Sequence, residues 1–326
     1  MQFVKEIKKM TTVYFVVPCY NEEAVLPETI SRLSTKLEKL IAERKADENS
    51  RMLFVDDGSK DKTWEIITQY SQKNKYVGGV KLSRNRGHQN ALLSGLMTAK
   101  DNCCDCVISL DADLQDDIEV IDEFIDKYLE GCEVVYGVRS SRKKDSIFKR
   151  STAQGYYKFM KLLGVDIVYN HADYRLLGSK ALEALSEYEE VNLFLRGIVP
   201  LIGYRCDYVY YERSERFAGE SKYPLKKMIK FAIDGITSFS VKPLKLISNI
   251  GIIICVLSVI GFIYALVSLC MGIAVSGWTS TICSIWFLGG LQMLCIGIVG
   301  TYVGKIYNEV KRRPRYRIEE KIINKP

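Results

Sequence analysis

Between Leu246 and Gly304 the chain runs for 59 residues without a single Asp, Glu, Lys or Arg. Elsewhere charge is plentiful, since the whole sequence is 26% charged and 48% hydrophobic, so this block stands apart. A helix needs about 20 apolar residues to cross a bilayer. The block therefore has room for two such helices and a tight turn. "LISNIGIIICVLSVIGFIYALVSLC" is the first candidate span and "SIWFLGGLQMLCIGIVGTYVG" the second, with "VSGWTST" as an interfacial turn carrying Gly277 and Trp278. The competing reading is a pair of buried helices in a soluble domain, but stretches this long and charge-free are hard to cover with protein. Both flanks are basic: Lys242 and Lys245 precede the block, and Lys305 and Lys311–Arg313 follow it. The positive-inside rule then puts both ends, and the large N-terminal part, in the cytoplasm, as a multi-pass protein of the cell membrane.

The net charge of +7 is concentrated around this block. Residues 205–245 hold nine Lys/Arg against five Asp/Glu, and residues 305–326 hold eight against three. No signal peptide is expected, because the apolar run after Lys9 is short and leads straight into "PCYNEE". The ten cysteines suit a reducing compartment. Cys103 and Cys106 form a lone CxxC with no second pair at zinc-site spacing, so zinc is not expected there.

The first 140 residues alternate between short β-rich apolar runs and amphipathic segments. "TVYFVVP", "MLFVDD", "VGGVKLS", "CVISLDAD" and "EVVYGVR" read as strands, separated by helical stretches over 23–44, 61–73, 87–100 and 116–129. Such alternation predicts βαβ units and an α/β, Rossmann-like, mostly parallel sheet with helices on both faces. In these sheets ligands bind beyond the carboxyl ends of the strands. The polar clusters fall there: "PCYNEE", "DDGS", "SRNRGHQN", "DADLQD" and "RSSRKK" each follow one strand. Taken singly each has a structural reading, with Asn21 and Asp61 as helix caps and Gly58 as a turn residue. Five clusters on one edge argue for a site.

The chemistry is narrowed by what is missing. No GxxxxGK[ST] occurs, and no GxGxxG follows the first strand. What remains is a nucleotide site built on carboxylates and a metal. Asp111, Asp113, Asp116 and Asp117 crowd the end of an apolar run, and like charges so placed repel unless a cation sits among them. Asp111 and Asp113 are two apart, so on an extended chain they point the same way. Hard oxygen ligands of this kind suit Mg²⁺ or Mn²⁺ holding a diphosphate.

The ordered series "VVPCYNEE", "VDDGS", "SRNRGHQNALLSG" and "LDADLQD" resembles glycosyltransferase family 2, whose fold is GT-A. The later "HADYRLLGS", "FLRG" and "ERFAGESKYPLKKM", followed by the apolar block, resembles its polyprenyl-phosphate glycosyltransferases, the relatives of dolichyl-phosphate mannose synthase and bactoprenol glucosyltransferases. The resemblance implies residue roles. Pro18, Tyr20 and Glu22 would line a nucleoside pocket, Val55 would contribute backbone, and Asp57 would contact base or ribose. Asp111 and Asp113 would bind metal and diphosphate, Gln115 would complete the coordination, and Ala112 would belong to the nucleotide-sugar site. Arg139 would approach phosphate. Arg216 and Lys222 would close over the diphosphate, or else bind anionic lipid as juxtamembrane charge. Asp173 would be a base or an orienting group near the reaction centre, or a structural partner of Arg175. His88 is expected to pack or cap.

The implied reaction is inverting transfer of a sugar, from UDP-glucose or a similar UDP-hexose, to a polyprenyl phosphate such as undecaprenyl phosphate, giving a lipid-linked sugar for cell-envelope glycosylation. The implied partners are donor, lipid acceptor, bilayer and a second copy of the chain in a homo-oligomer, with no nucleic acid. A domain plan follows: residues 1–223 catalytic, 224–245 an amphipathic juxtamembrane helix, 246–304 the two spans, 305–326 a basic cytoplasmic tail. In the juxtamembrane stretch Leu225, Met228, Ile229, Ala232, Ile233 and Ile236 share one helical stripe; the alternative is a core-facing helix. "RSSRKKDSIFKR" is either a lid for the acceptor phosphate or a solvated turn. A processive polysaccharide synthase shares the early motifs but would show QxxRW and more spans; an inactive membrane-anchored scaffold is the non-enzyme alternative.

Overall fold

The computed structural model describes residues 10–140, 171–213, 240, 242–271 and 277–323. The segment "RSSRKKDSIFKR" beyond Ser140, the amphipathic stretch 224–239, and Arg216 and Lys222 lie outside the described residues. The described chain divides into two compact units, an α/β unit that includes the chain from Arg313 onward, and a helical unit ending at Arg312.

The α/β unit is built on an eight-stranded sheet. Its strands are β1 (Val13–Cys19), β2 (Arg51–Asp56), β3 (Val77–Leu82), β4 (Cys106–Ser109), β5 (Val134–Arg139), β6 (His171–Gly178), β7 (Cys206–Tyr211) and β8 (Ile318–Ile322). They lie in the order β7-β5-β6-β4-β1-β2-β3-β8. The run β3-β2-β1-β4 is parallel, as the alternation predicts. β6 is inserted antiparallel between β4 and β5, and β7 pairs parallel with β5. Every residue of β1, "VYFVVPC", is buried. That is why the strand reads as a continuous apolar run: both of its faces are covered.

Helices α1 (Leu26–Ala42), α2 (Thr63–Lys73), α3 (His88–Asp101), α4 (Ile121–Leu129), α5 (Ser179–Ser186) and α6 (Leu195–Leu201) surround the sheet. In α1 the buried Leu26, Ile30, Leu33, Leu37 and Leu40 form one stripe. That stripe packs with Phe15, Val17, Phe54 and Phe124 in the main core. The stretch 116–129, expected to be one helix, is a 3-10 turn at Ile118–Val120 followed by α4. Asp117 caps that turn, its side chain accepting from Glu119 N at 2.9 Å.

The chain leaves β1 for β2 and β3 on one side, then returns to β4 on the other. This reversal opens a crevice beyond the carboxyl ends of β1 and β4. The sequence places Tyr20 and Asp111 at that position.

The helical unit contains α7 (Lys242–Cys270) and α8 (Trp278–Val310). Stretches of both, Lys242–Gly261 and Phe287–Val310, are long and apolar enough to cross a membrane. Their side chains are exposed at Ile252, Leu257, Ile263, Phe287, Leu294 and Ile296. The helices overrun the expected spans: α7 takes in Lys242 and Lys245, and Trp278, expected in the turn, starts α8. Tyr302 in α8 donates to Ser240 O at 2.6 Å, which ties α8 to the residues just before α7.

The expected tail over 305–326 is corrected. Lys305 to Val310 belong to α8, and Ile318–Ile322 form β8, antiparallel to β3 at the sheet edge. Trp64 Nε1 donates to Glu320 at 3.1 Å, and Lys81 pairs with Glu319 at 3.4 Å. A basic composition concealed a short strand whose partner lies more than two hundred residues earlier.

Candidate active site

The first two polar clusters lock onto each other. Asn21, at φ 54°, accepts from Lys60 N at 2.9 Å, while its own N–H donates to Ser59 Oγ at 3.0 Å. It joins two loops and caps no helix. Asp61 accepts from Thr63 N at 3.0 Å and Glu23 N at 3.1 Å, so it serves both the start of α2 and the first loop. Gly58, at φ 66°, brings the "DDGS" turn against the next loop; a Cβ there would lie 2.6 Å from the Arg84 carbonyl carbon. Only glycine meets both conditions.

This packing gives two of the expected site residues structural contacts. Asp57 is buried, and its two carboxylate oxygens accept from Arg86 N at 2.7 Å and Gly87 N at 2.9 Å. It braces the loop ahead of α3. Burial pushes its carboxyl above the ordinary value, and the two backbone donors partly offset that. Val55 lies inside the ladder, paired with Pro18 on one side and Val80 on the other, so its backbone belongs to the sheet. Pro18 is buried beside it, Tyr20 is exposed past the strand end, and Glu22 is half-buried, its carbonyl accepting from Leu26 N at the start of α1. Asp56, which sequence reasoning passed over, is fully buried, and its Oδ2 has no hydrogen-bond partner among the described residues.

The acidic cluster is a turn, not an extended strand end. β4 stops at Ser109, and Leu114 adopts φ 56°. The two-residue alternation expected to align Asp111 with Asp113 is therefore replaced by turn geometry. Ala112 O accepts from Thr29 Oγ1 at 2.8 Å, Tyr174 donates to Asp117 O at 2.9 Å, and Tyr211 donates to Asp116 Oδ1 at 2.6 Å. Burial, with Asp111 nearby, pushes Asp116 up to about 6. Asp113 Oδ1 accepts from Gln115 N at 3.2 Å, and the Gln115 side-chain oxygen accepts from Arg213. Arg139 ends β5 in register with Tyr211 at the end of β7.

Asp173 enters from β6. Ser109 pairs with Arg175 in the antiparallel β4–β6 ladder, and its Oγ donates to Asp173 O at 2.6 Å. His88 lies between Asp111 and Asp173, its Nε2 3.7 Å from Asp111 Oδ1 and 3.6 Å from Asp173 Oδ2. The expectation that His88 packs or caps is corrected: the residue opens α3, and its side chain is 36% exposed. Burial pulls the imidazole down, but Asp173 and Asp111 raise it further, so the balance lies above the ordinary value. Asp173 is buried and held by Arg175 on its own strand. The Arg196 fork also reaches it, at 3.2 Å and 3.0 Å. Burial alone would raise its carboxyl; Arg196, His88 and Arg175 hold it well below the usual range. A carboxylate so held is a weak base. Arg196 came from a segment that offered only "FLRG", with nothing to say it would meet "HADYR".

No three His, Cys, Asp or Glu side chains among the described residues form a metal cage. A magnesium-type site does not require one, because such ions are held by one or two carboxylates plus substrate phosphates. Asp111 and Asp113 on one half-exposed turn fit that description.

A family model described as Glycosyl transferase family 2 matches residues 14–186. The chain belongs to this family. The glycosyltransferase YkoT of Bacillus subtilis is 55% identical over 309 residues, 95% of this chain and 91% of that protein. The prophage bactoprenol glucosyl transferase homolog of Escherichia coli is 38% identical over 309 residues, covering 93% and 97%. Among solved structures, the mannosyltransferase PcManGT of Pyrobaculum calidifontis covers 91% of this chain and 88% of its own at 14% identity, with a TM-score of 0.41. The family 2 chain is thus a glycosyltransferase with a GT-A-like, mostly parallel α/β sheet, and the crevice beyond β1 and β4 is its candidate active site.

Proposed function

We propose that this glycosyltransferase moves a hexose from a nucleoside diphosphate sugar, with UDP as the nucleotide, to a polyprenyl phosphate at a membrane surface, inverting the anomeric carbon. The observation that carries the reading is the acidic turn Asp111–Asp116 at the strand crevice with Arg139 and Arg213 beside it. The apolar pair α7 and α8 supports a lipid-borne acceptor, as does 38% identity to proteins named bactoprenol glucosyl transferase.

In this reading Asp111 and Asp113, with the side chain of Gln115, hold Mg²⁺ or Mn²⁺. When bound there, such a cation would supply positive charge against the departing diphosphate. Pro18, Tyr20 and Glu22 border the nucleoside, and Arg139 faces phosphate; Arg216 and Lys222, outside the described residues, keep the diphosphate role that the family resemblance implies. The bond from the anomeric carbon to the diphosphate oxygen breaks, and its electron pair leaves with the nucleotide. An oxygen of the lipid phosphate forms the new bond from the opposite face. That phosphate is already ionised near neutral pH, so no strong general base is needed. Asp173 then orients Arg196 and His88 at the reaction centre.

The sheet also bears on topology. It contains chain from before α7 and, as β8, chain from after α8. If the apolar block crosses a membrane, it crosses an even number of times, and both flanks lie on one side. With basic flanks, that side is the cytoplasm.

The deciding experiment incubates the detergent-solubilised protein with undecaprenyl phosphate and a panel of sugar nucleotides, then identifies the glycolipid by mass. One donor should yield a polyprenyl phosphosugar. Turnover of a donor with transfer only to water or to a soluble acceptor would sink the lipid reading.

A further inference from the structure

Two arginines border the acidic turn; Arg139 lies beside Asp116 and hydrogen-bonds Tyr211. Arg139 Nε is buried with no hydrogen-bond partner among the described residues. That one N–H, unlike the part of the guanidinium that meets Tyr211, has room for a further acceptor. Arg213 follows Tyr211 by two residues, beyond the end of β7. It lies in the field of Arg139 and of Asp113, Asp116 and Asp111. Its guanidinium donates to the side-chain oxygen of Gln115, the oxygen that the proposed reading gives to the metal.

One amide oxygen cannot serve an arginine and a divalent cation together without placing two positive centres side by side. We propose that Arg213 is an exchangeable cation. It holds Gln115 until the metal arrives, is then displaced, and with Arg139 forms a two-arginine phosphate subsite at the ends of β5 and β7. The inference rests on the proposed metal and phosphate chemistry, and it adds the residue that connects them. Before exchange, Arg213 offsets the repulsion among Asp111, Asp113 and Asp116. After exchange the metal does so, and the freed fork turns to a phosphate, for which its paired donors are suited. The phosphate belongs either to the nucleoside diphosphate or to the lipid acceptor.

The test uses the full-length protein in detergent and reads binding. Free Mn²⁺ is counted by electron paramagnetic resonance against wild type, Arg213→Met and Arg213→Lys. Without nucleotide, Arg213→Met should bind Mn²⁺ about three- to tenfold more tightly, as expected when one nearby positive charge and a competing hydrogen bond are removed. Arg213→Lys should stay near wild type. In a Gln115→Ala background, where there is no oxygen to compete for, the gain from Arg213→Met should shrink.

Two further arms identify the phosphate. Weaker binding of UDP or GDP at saturating Mn²⁺ assigns the subsite to the donor. A raised KM for undecaprenyl phosphate in vesicles, with nucleotide affinity unchanged, assigns it to the acceptor. Unchanged or weaker Mn²⁺ binding by Arg213→Met, with the thermal midpoint intact, overturns the exchange. Tighter Mn²⁺ binding with neither phosphate ligand affected overturns the subsite. Wild-type protein that binds no Mn²⁺ even with nucleotide would instead bring down the underlying metal reading, and this inference with it.

Discussion

Leu114 adopts φ 56° between Asp113 and Gln115, a region that a leucine enters only when its surroundings force it. The turn it makes sets the direction of the flanking oxygens. The sequence showed which oxygens would gather at the end of β4, but nothing in a leucine announces a left-handed turn. Asp113 carries the plainest expectation of the reading. Asp113→Ala should abolish sugar transfer and Mn²⁺ binding while leaving the unfolding midpoint close to wild type, because the side chain is half-exposed; normal turnover would show the metal assignment to be wrong. Asp173 should behave in the opposite way. It is 8% exposed and counters Arg175 and Arg196. Asp173→Asn removes one side of a buried ion cluster and should cost about 3–5 kcal/mol of stability, read as a fall in the denaturation midpoint. Its folded-state pKa is depressed. Its contribution is therefore present above the unfolded value near 4 and is lost as pH falls below that value toward the folded one. A variant that loses activity with full stability would mark Asp173 as a reacting group instead.

At the scale of elements, α3 shows how the sheet positions chemistry. A Cβ on Gly95 would lie 2.4 Å from Val16 Cγ1 and 2.7 Å from Val55 Cγ2, so the helix rests directly on β1 and β2. That close approach places His88, the first residue of α3, within reach of Asp111 and Asp173. Gly95→Ala should overpack this contact and cost about 1–3 kcal/mol. Adding Val16→Ala should recover part of the loss; a strictly additive double mutant would show that the close approach is not the cause. Within the first 140 residues the elements were legible because each buried strand is an apolar run and each helix carries its own stripe. β6, β7 and β8 were not. "HADYRLLG" buries Asp173 and Arg175 against each other, so its interior looks polar. "CDYVYY" and "IEEKI" are edge strands with much of their length exposed. Strands of that kind are specified by partners far along the chain, which composition does not reveal.

For the whole molecule, the deciding feature is that one sheet contains strands from before and from after the apolar block. β8 seals the outer side of β3, with Ser83 N donating to Arg317 O at 3.0 Å and Arg315 donating to Tyr188 O at 2.8 Å. The chain after α8 therefore returns to the sheet of the α/β unit, and the proposed membrane hairpin follows from that return. This can be measured without any enzymology. Cys103 is exposed on the α/β unit, Lys321 is exposed on β8, and Gly277 precedes α8. In a background with the other exposed cysteines replaced, a membrane-impermeant thiol reagent should reach Cys103 and a cysteine from Lys321→Cys from one face of sealed vesicles. A cysteine from Gly277→Cys should react only from the other face. Labelling of the first two positions from opposite faces would contradict the sheet topology, because β8 could not then pair with β3. Labelling of all three from one face would leave the sheet intact and remove the membrane hairpin, and with it the reason for a lipid-borne acceptor.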